Sequence, residues 1–431
     1  MRQSEVTGAL QWFYLMRQGS AILIGILLAQ FGLPADEIGV YEILLYIGVL
    51  TSSFWVTGLA QALLSLYHTL DEAQQRRLTG SAFWVFTGLS VLLTGALWIG
   101  QSIAIPALAS RPTLDYFGLF LLWQCFNLPS FLIENLYLLY QKASAIFWFG
   151  IFSFGLQMAA VLTPVLLGID FIWSFYSLIA VGAFKFIWLV VLVLRHSQLT
   201  FDTSLLRQWG WIALPLAAYA LLASVNNSFS FWLVGFFYRD DEATFAIFRY
   251  GAREFPLVIA LANALGTAII PALVRDQQAG LEELRDKSRK LFHLLFPLSI
   301  VLMLSSKTFF PMVFSEAFAA SAIVFNTFLL ITISRLLFAR PVLMALQANR
   351  MALVFSIIEF LCHIIFSTTF AYYFGLPGIA IGVVLACSVE KILLCFYLWR
   401  RFGVPLGAYT DLRWWVGYSV ALTAAFLIAG F

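Results

Sequence analysis

The chain has 431 residues, 62% of them hydrophobic and only 11% charged, with a formal net charge of +3. A soluble globular chain holds roughly 45–50% apolar and about 25% charged residues. This one lacks the polar surface to meet water, which excludes the soluble class, and its 43 Phe and 14 Trp suit helices that face lipid and end in interfacial belts.

In hydrocarbon each segment must satisfy its own backbone, so apolar runs of about 20 residues are expected to be helices. The ten-residue alternation of an outer-membrane barrel is absent. In chain order the sequence predicts thirteen spans, near residues 10–31, 41–67, 81–106, 115–140, 146–168, 171–194, 209–237, 244–274, 291–313, 320–346, 351–374, 377–400 and 413–430. The first apolar run follows only Met1 to Gly8, with no small-residue cleavage motif after it. It is expected to be a retained span and not a signal peptide. Cys125, Cys362, Cys387 and Cys395 all fall in apolar stretches without a C-x-x-C pair, which indicates neither a disulfide framework nor a zinc site.

The loops follow the positive-inside rule if the N-terminus is cytoplasmic. That side then carries fifteen basic residues, from Arg2, Arg76 and Arg77 through Arg285, Lys287, Arg289 and Lys290 to Arg413, and the other side carries Arg111, Arg239 and Lys307. The longest connection, Asp276 to Lys290, is charged and amphipathic and reads as a solvated surface helix. A faint repeat links DEIGVYEILL from Asp36 with DEATFAIFR from Asp241. Spans one to six and seven to twelve would then be parallel repeats, joined by Arg195 to Gln208. The expected organisation is a six-helix lobe over 1–200, a second over 201–402, and an extra segment over 403–431.

Seven basic residues fall inside spans: Arg17, Lys185, Arg249, Arg253, Arg335, Arg340 and Lys391. A charge at a span centre costs about 2.5–3.5 kcal/mol on insertion scales, so each needs a partner or a watery cavity. Arg249 and Arg253, four apart on an expected continuous helix, would share a face. Two cations on one face favour a hydrated cavity that accepts an anion, the alternative being pairing with carboxylates such as Glu254. Arg335 and Arg340 point apart, so that one is free to meet cargo while Arg340, nearer the cytoplasm, snorkels or meets lipid phosphate. Arg17 lines the cavity or snorkels inward. Asn226 and Asn227 are polar enough to bond sugar hydroxyls, to join helices or to ease a bend. Glu359 and His363 share a face as a proton relay or as a polar contact between helices.

No Gly-rich phosphate loop, nucleophile elbow or metal-ligand cluster is present, which speaks against an enzyme. Nothing in the sequence suggests nucleic-acid binding.

Three stretches carry a family resemblance. FRYGAREFPLVIALANALGTAIIPALVR from Phe248, FGLPGIAIGVVLA from Phe374 and RQGSAILIGILLAQFGLPADEIGVYE from Arg17 resemble the polysaccharide flippases of the multidrug/oligosaccharidyl-lipid/polysaccharide (MOP) exporter superfamily. The similarity in plan covers about residues 8–402. It implies an all-α polytopic membrane protein with two six-helix lobes in a V around a central cavity, to which this chain adds a thirteenth span. It implies a polyprenyl-pyrophosphate-linked oligosaccharide as cargo, moved from the inner to the outer leaflet of a bacterial inner membrane by alternating access. Basic residues of the first, eighth and tenth spans, here Arg17, Arg249, Arg253 and Arg335, would meet the pyrophosphate. Membrane lipids and other polysaccharide-assembly proteins are the expected partners. No cofactor is expected, and coupling to protons or sodium stays open. The alternatives are a multidrug exporter of the same superfamily, which would favour cavity acids, and a membrane-embedded polymerase or acyltransferase, which would usually show a large outer loop or a compact catalytic cluster.

Overall fold

The structure, a computed structural model, describes residues 2–429, without the side chains of residues 2–7 and Asn349. The side chain of Arg2 and the end of the expected last span, Gly430, lie outside the described residues. Every regular element among the described residues is helical.

Among the described residues, thirteen segments are long and apolar enough to cross a membrane: Gly8–Gln30, Ala35–Tyr67, Glu72–Ile99, Phe117–Leu139, Ala143–Leu166, Ile172–His196, Thr203–Phe237, Pro256–Arg275, Gln277–Val313, Ser321–Ala345, Arg350–Phe374, Leu376–Phe402 and Leu412–Ala429. The expected fold class and span number hold. The third span breaks at Gly100, and the eighth and tenth are interrupted as well. The eighth is interrupted, with a helix over Glu242–Gly251, no regular structure at 252–255, and a new helix from Pro256. The tenth breaks after Arg335 and resumes at Ala339.

Helix ends follow local chemistry. Asp71 and Gln74 form a reciprocal capping box at the third span, with Gln74 N–H donating to Asp71 Oδ1 at 2.8 Å, which satisfies two orphan donors at once. Asp276 accepts from Ala279 N–H at 3.1 Å and starts a helix that runs unbroken to Val313. Its 37 residues span about 55 Å at 1.5 Å per residue, well beyond a hydrocarbon core of roughly 30 Å. The charged stretch expected between spans is therefore the opening of the ninth helix itself. Gly280 permits this, because a Cβ there would meet the backbone of Leu273. Between spans eleven and twelve, Gly375 turns the chain at φ 63°. Gly378 and Gly382 then bring the twelfth helix against the backbone of Phe370 and Ser367, an approach that any side chain would block.

The chain forms two compact units. The first comprises residues up to Ser228 together with Tyr238–Ala243. Its core gathers Phe13, Leu63, Phe86, Ile133, Leu136, Phe149, Leu189 and Trp209, with the rings of Phe13 and Phe149 stacked at 5.9 Å. The stretch after the sixth span is tied to the start of the third. Gln198 N–H donates to Arg76 O at 3.0 Å, and the Ser81 hydroxyl donates to Thr200 O at 3.0 Å. Asp202 caps the seventh span, and hydrogen bonds from the Ser204 hydroxyl and the Leu205 N–H hold its carboxyl below the usual aspartate range. Arg111, only 3% exposed, pairs with Glu242 and donates to the Tyr238 carbonyl. Burial lowers the pKa of its guanidinium, while Asp240 and Asp241 oppose the shift.

The second unit comprises Phe229–Phe237 and the residues from Thr244 onward. Phe292, Phe296, Leu329, Leu336, Leu394, Tyr409 and Leu422 are among its core residues. The thirteenth span belongs to this core. Tyr418 stacks on Phe296 at 5.5 Å, and Trp415 Nε1 donates to Ile333 O at 3.0 Å.

Candidate functional site

In the first unit the intramembrane charges converge on Glu134. Asn127 and Glu134 are seven residues apart, which puts them on one face of the fourth span. Lys185 of the sixth span is 5% exposed and donates to Asn127 Oδ1 at 2.5 Å. Glu134 feels both Lys185 and Arg17, and Arg17 Nη1 lies 3.9 Å from Glu134 Oε1. Arg17 also lies over the Tyr14 ring, 4.9 Å from its centroid, and its side chain is 39% exposed. The first helix runs straight through Arg17 and Gln18. Asn226 and Asn227 lie on a continuous helix as well, Asn227 being exposed.

In the second unit the interrupted eighth span organises the charges. Arg249 is in the last turn before the break and sits 4.7 Å from the centroid of Phe231. Arg253 lies inside the break, 5.5 Å from the centroid of Tyr250. The shared helical face expected for Arg249 and Arg253 therefore does not exist, because the helix ends at Gly251 between them. Pro256 explains the interruption: it favours a helix's first turn and restricts the residue before it to extended backbone.

Glu254, also in the break, receives Arg335 through both carboxylate oxygens, with Nε to Oε2 at 3.0 Å and Nη2 reaching both. Arg340 does not snorkel as expected. It bonds Glu390 and donates to the Ser356 hydroxyl at 2.9 Å. Lys391 joins the same carboxylate at 3.0 Å. An arginine in hydrocarbon gains more from a desolvated carboxylate than from a strained reach to the interface.

Glu359 and His363 take different partners. The Glu359 carboxylate accepts from the Cys387 thiol at 3.4 Å, while His363 Nε2 lies 2.9 Å from the Ser230 hydroxyl and its ring meets Phe229 edge-on. Among the described residues no group of three or more His, Cys, Asp or Glu could hold a metal ion.

No family model and no curated protein matches the sequence. Solved structures do match. A lipid II flippase, MurJ, in an inward closed conformation aligns at TM-score 0.75 and 14% identity, covering 96% of this chain and 91% of that one. An inward-facing multidrug resistance MATE family transporter of the MOP superfamily aligns at 0.66 and 13%, covering 94% and 95%. A MOP superfamily transporter from Pyrococcus furiosus, whose binding pocket is described as of reverse polarity, aligns at 0.53 and 15%, covering 95% and 96%. The fold is that of the MOP superfamily.

On that fold, the sequence identified the intramembrane charges and missed most of their partners. Lys185 signalled a need for one, since a lone buried ammonium is not tolerated. Its partner Asn127 is 58 residues away. Arg335, expected to meet cargo, is held by Glu254, 81 residues away.

Proposed function

We propose that this protein is a transporter that flips a polyprenyl-pyrophosphate-linked oligosaccharide from the inner to the outer leaflet of a bacterial inner membrane by alternating access. The observation that carries the reading is the interrupted eighth span with Arg249 and Arg253 at its break. Unwound backbone and arginines at membrane depth need a protein or water lining, and cations there suit an anionic head group. The lipid tail can stay in the bilayer, so only the head group needs a wet path. The fold shared with a lipid II flippase supports this reading. Arg17, Arg249, Arg253 and Arg335 are the proposed phosphate contacts. Asn226 and Asn227 are the proposed sugar contacts. Glu359 and His363 are the proposed ion-coupling pair. The lobes 1–200 and 201–402, with the segment 403–431, belong to the same proposal.

Multidrug export is the second reading. It draws on Glu359, whose hydrogen-bond donor is a thiol, and on the fold shared with a multidrug transporter. Deleting the gene separates the two. Flippase function requires lipid-linked oligosaccharide to accumulate on the cytoplasmic face, whereas drug hypersensitivity with unaltered lipid-linked sugar would move the assignment to export.

The proposed orientation has the N-terminus, 68–80 and 275–290 inside and 238–243 outside. A thiol reagent added from outside should label a cysteine placed at Asp241 and miss one placed at Gln278. The opposite pattern would overturn it.

A further inference from the structure

The tenth span carries Arg335 on the last residue of a five-residue helix, immediately before its break. The eighth span carries Glu254 inside its own break. Two discontinuous spans thus meet at one ion pair. Discontinuous backbone at membrane depth is tolerated where it is buried in protein or lines a water-filled cavity, and this pair is not sealed away, since the side chains are 34% and 27% exposed. The contact uses the guanidinium edge with two carboxylate oxygens, the same planar fork by which arginine grips phosphate.

We propose that Glu254 is an internal stand-in for the cargo's phosphate. Its carboxylate occupies the Arg335 fork in the empty transporter, and an incoming pyrophosphate displaces it. This rests on the flippase reading above and specifies how the site is kept when no cargo is bound. An unpaired arginine at this depth would be costly, so an exchangeable carboxylate keeps the empty protein stable. Glu254 is suited to the exchange because it lies on non-helical chain, where the side chain can turn away without breaking a helix. A diphosphate brings more charge and more acceptor oxygens than a carboxylate, so it outcompetes Glu254, while a weak monoanion does not. Around Arg335 the other ionisable groups within electrostatic reach are Cys387 and Glu359. Glu359 remains to oppose a second anion, which limits the site to one head group.

The test uses purified full-length protein in nanodiscs, farnesyl pyrophosphate as the probe, and farnesol as the control for the tail alone. Removing the competing charge with Glu254→Gln should tighten farnesyl pyrophosphate binding about tenfold or more, the scale of a charge-assisted hydrogen bond, and leave farnesol unchanged. Adding Arg335→Ala should erase the gain. Glu254→Asp, which keeps the charge and shortens the reach, should give a smaller gain and serves if the glutamine variant fails to fold. A gain in affinity is a readout that a purely structural role would not produce. Equal or weaker pyrophosphate binding by the folded variants would overturn the displacement and leave the flippase reading standing. No phosphate-dependent binding by any form, wild type included, would overturn both.

Discussion

Alanine at both Arg249 and Arg253 is expected to abolish transport while leaving the protein in the membrane at its normal level. Each arginine offers charge-assisted hydrogen bonds to phosphate oxygens, worth about 1.5–3 kcal/mol apiece. Losing both costs roughly 3–6 kcal/mol of cargo binding, a factor on the order of 10²–10⁴. Their folded-state contacts include the rings of Phe231 and Tyr250, and a cation–π contact contributes about 0.5–2 kcal/mol. Lysine at either position should rescue in part, since it keeps the charge and loses the fork. Complementation of a deletion strain, scored by surface polysaccharide beside a membrane immunoblot, gives the measurement. Full transport by the double alanine variant would sink the phosphate role. A protein lost from the membrane would make these arginines structural.

Glu134→Gln should produce the largest loss of stability of any single change in the first unit. It leaves the Lys185 ammonium, 5% exposed, with Asn127 as its hydrogen-bond partner. Glu134 acts on that ammonium through space rather than as a contact pair, so the loss should be a part of the about 3–5 kcal/mol that breaking a buried contact pair costs. Lys185→Met should cost less, because Glu134 keeps Arg17 at 3.9 Å, and that guanidinium is partly exposed. The double variant should be more stable than Glu134→Gln alone, since neither charge is then stranded. Thermal unfolding in detergent, run as a double-mutant cycle, reads this directly. Strict additivity would show that the two groups do not interact.

The contrast between these predictions reflects where each charge found its partner. Lys391 bonds Glu390, its neighbour in the chain. Lys185, Arg335 and Arg340 bond residues 58, 81 and 50 positions away. Each charge demanded a partner, but nothing local named it. The eighth span is an intermediate case. Gly251 and Pro256 flank its break, yet proline is tolerated within membrane helices when neighbours satisfy the freed backbone. An uninterrupted helix was therefore an equally good reading of the same letters.

The sequence by itself determined the membrane class, the all-helical architecture and thirteen spans. Hydrocarbon enforces those locally: it accepts only self-satisfied backbone and requires about 20 apolar residues per crossing. It also determined which side chains carry charge into the membrane. Tertiary structure decided where the spans break, which carboxylate neutralises which arginine, and that the thirteenth span packs into the second unit's core through Tyr418 and Trp415. Those outcomes depend on which helices become neighbours. Hydropathy and helix propensity act over a few residues along the chain, whereas an ion pair in a low dielectric is settled by distance in space.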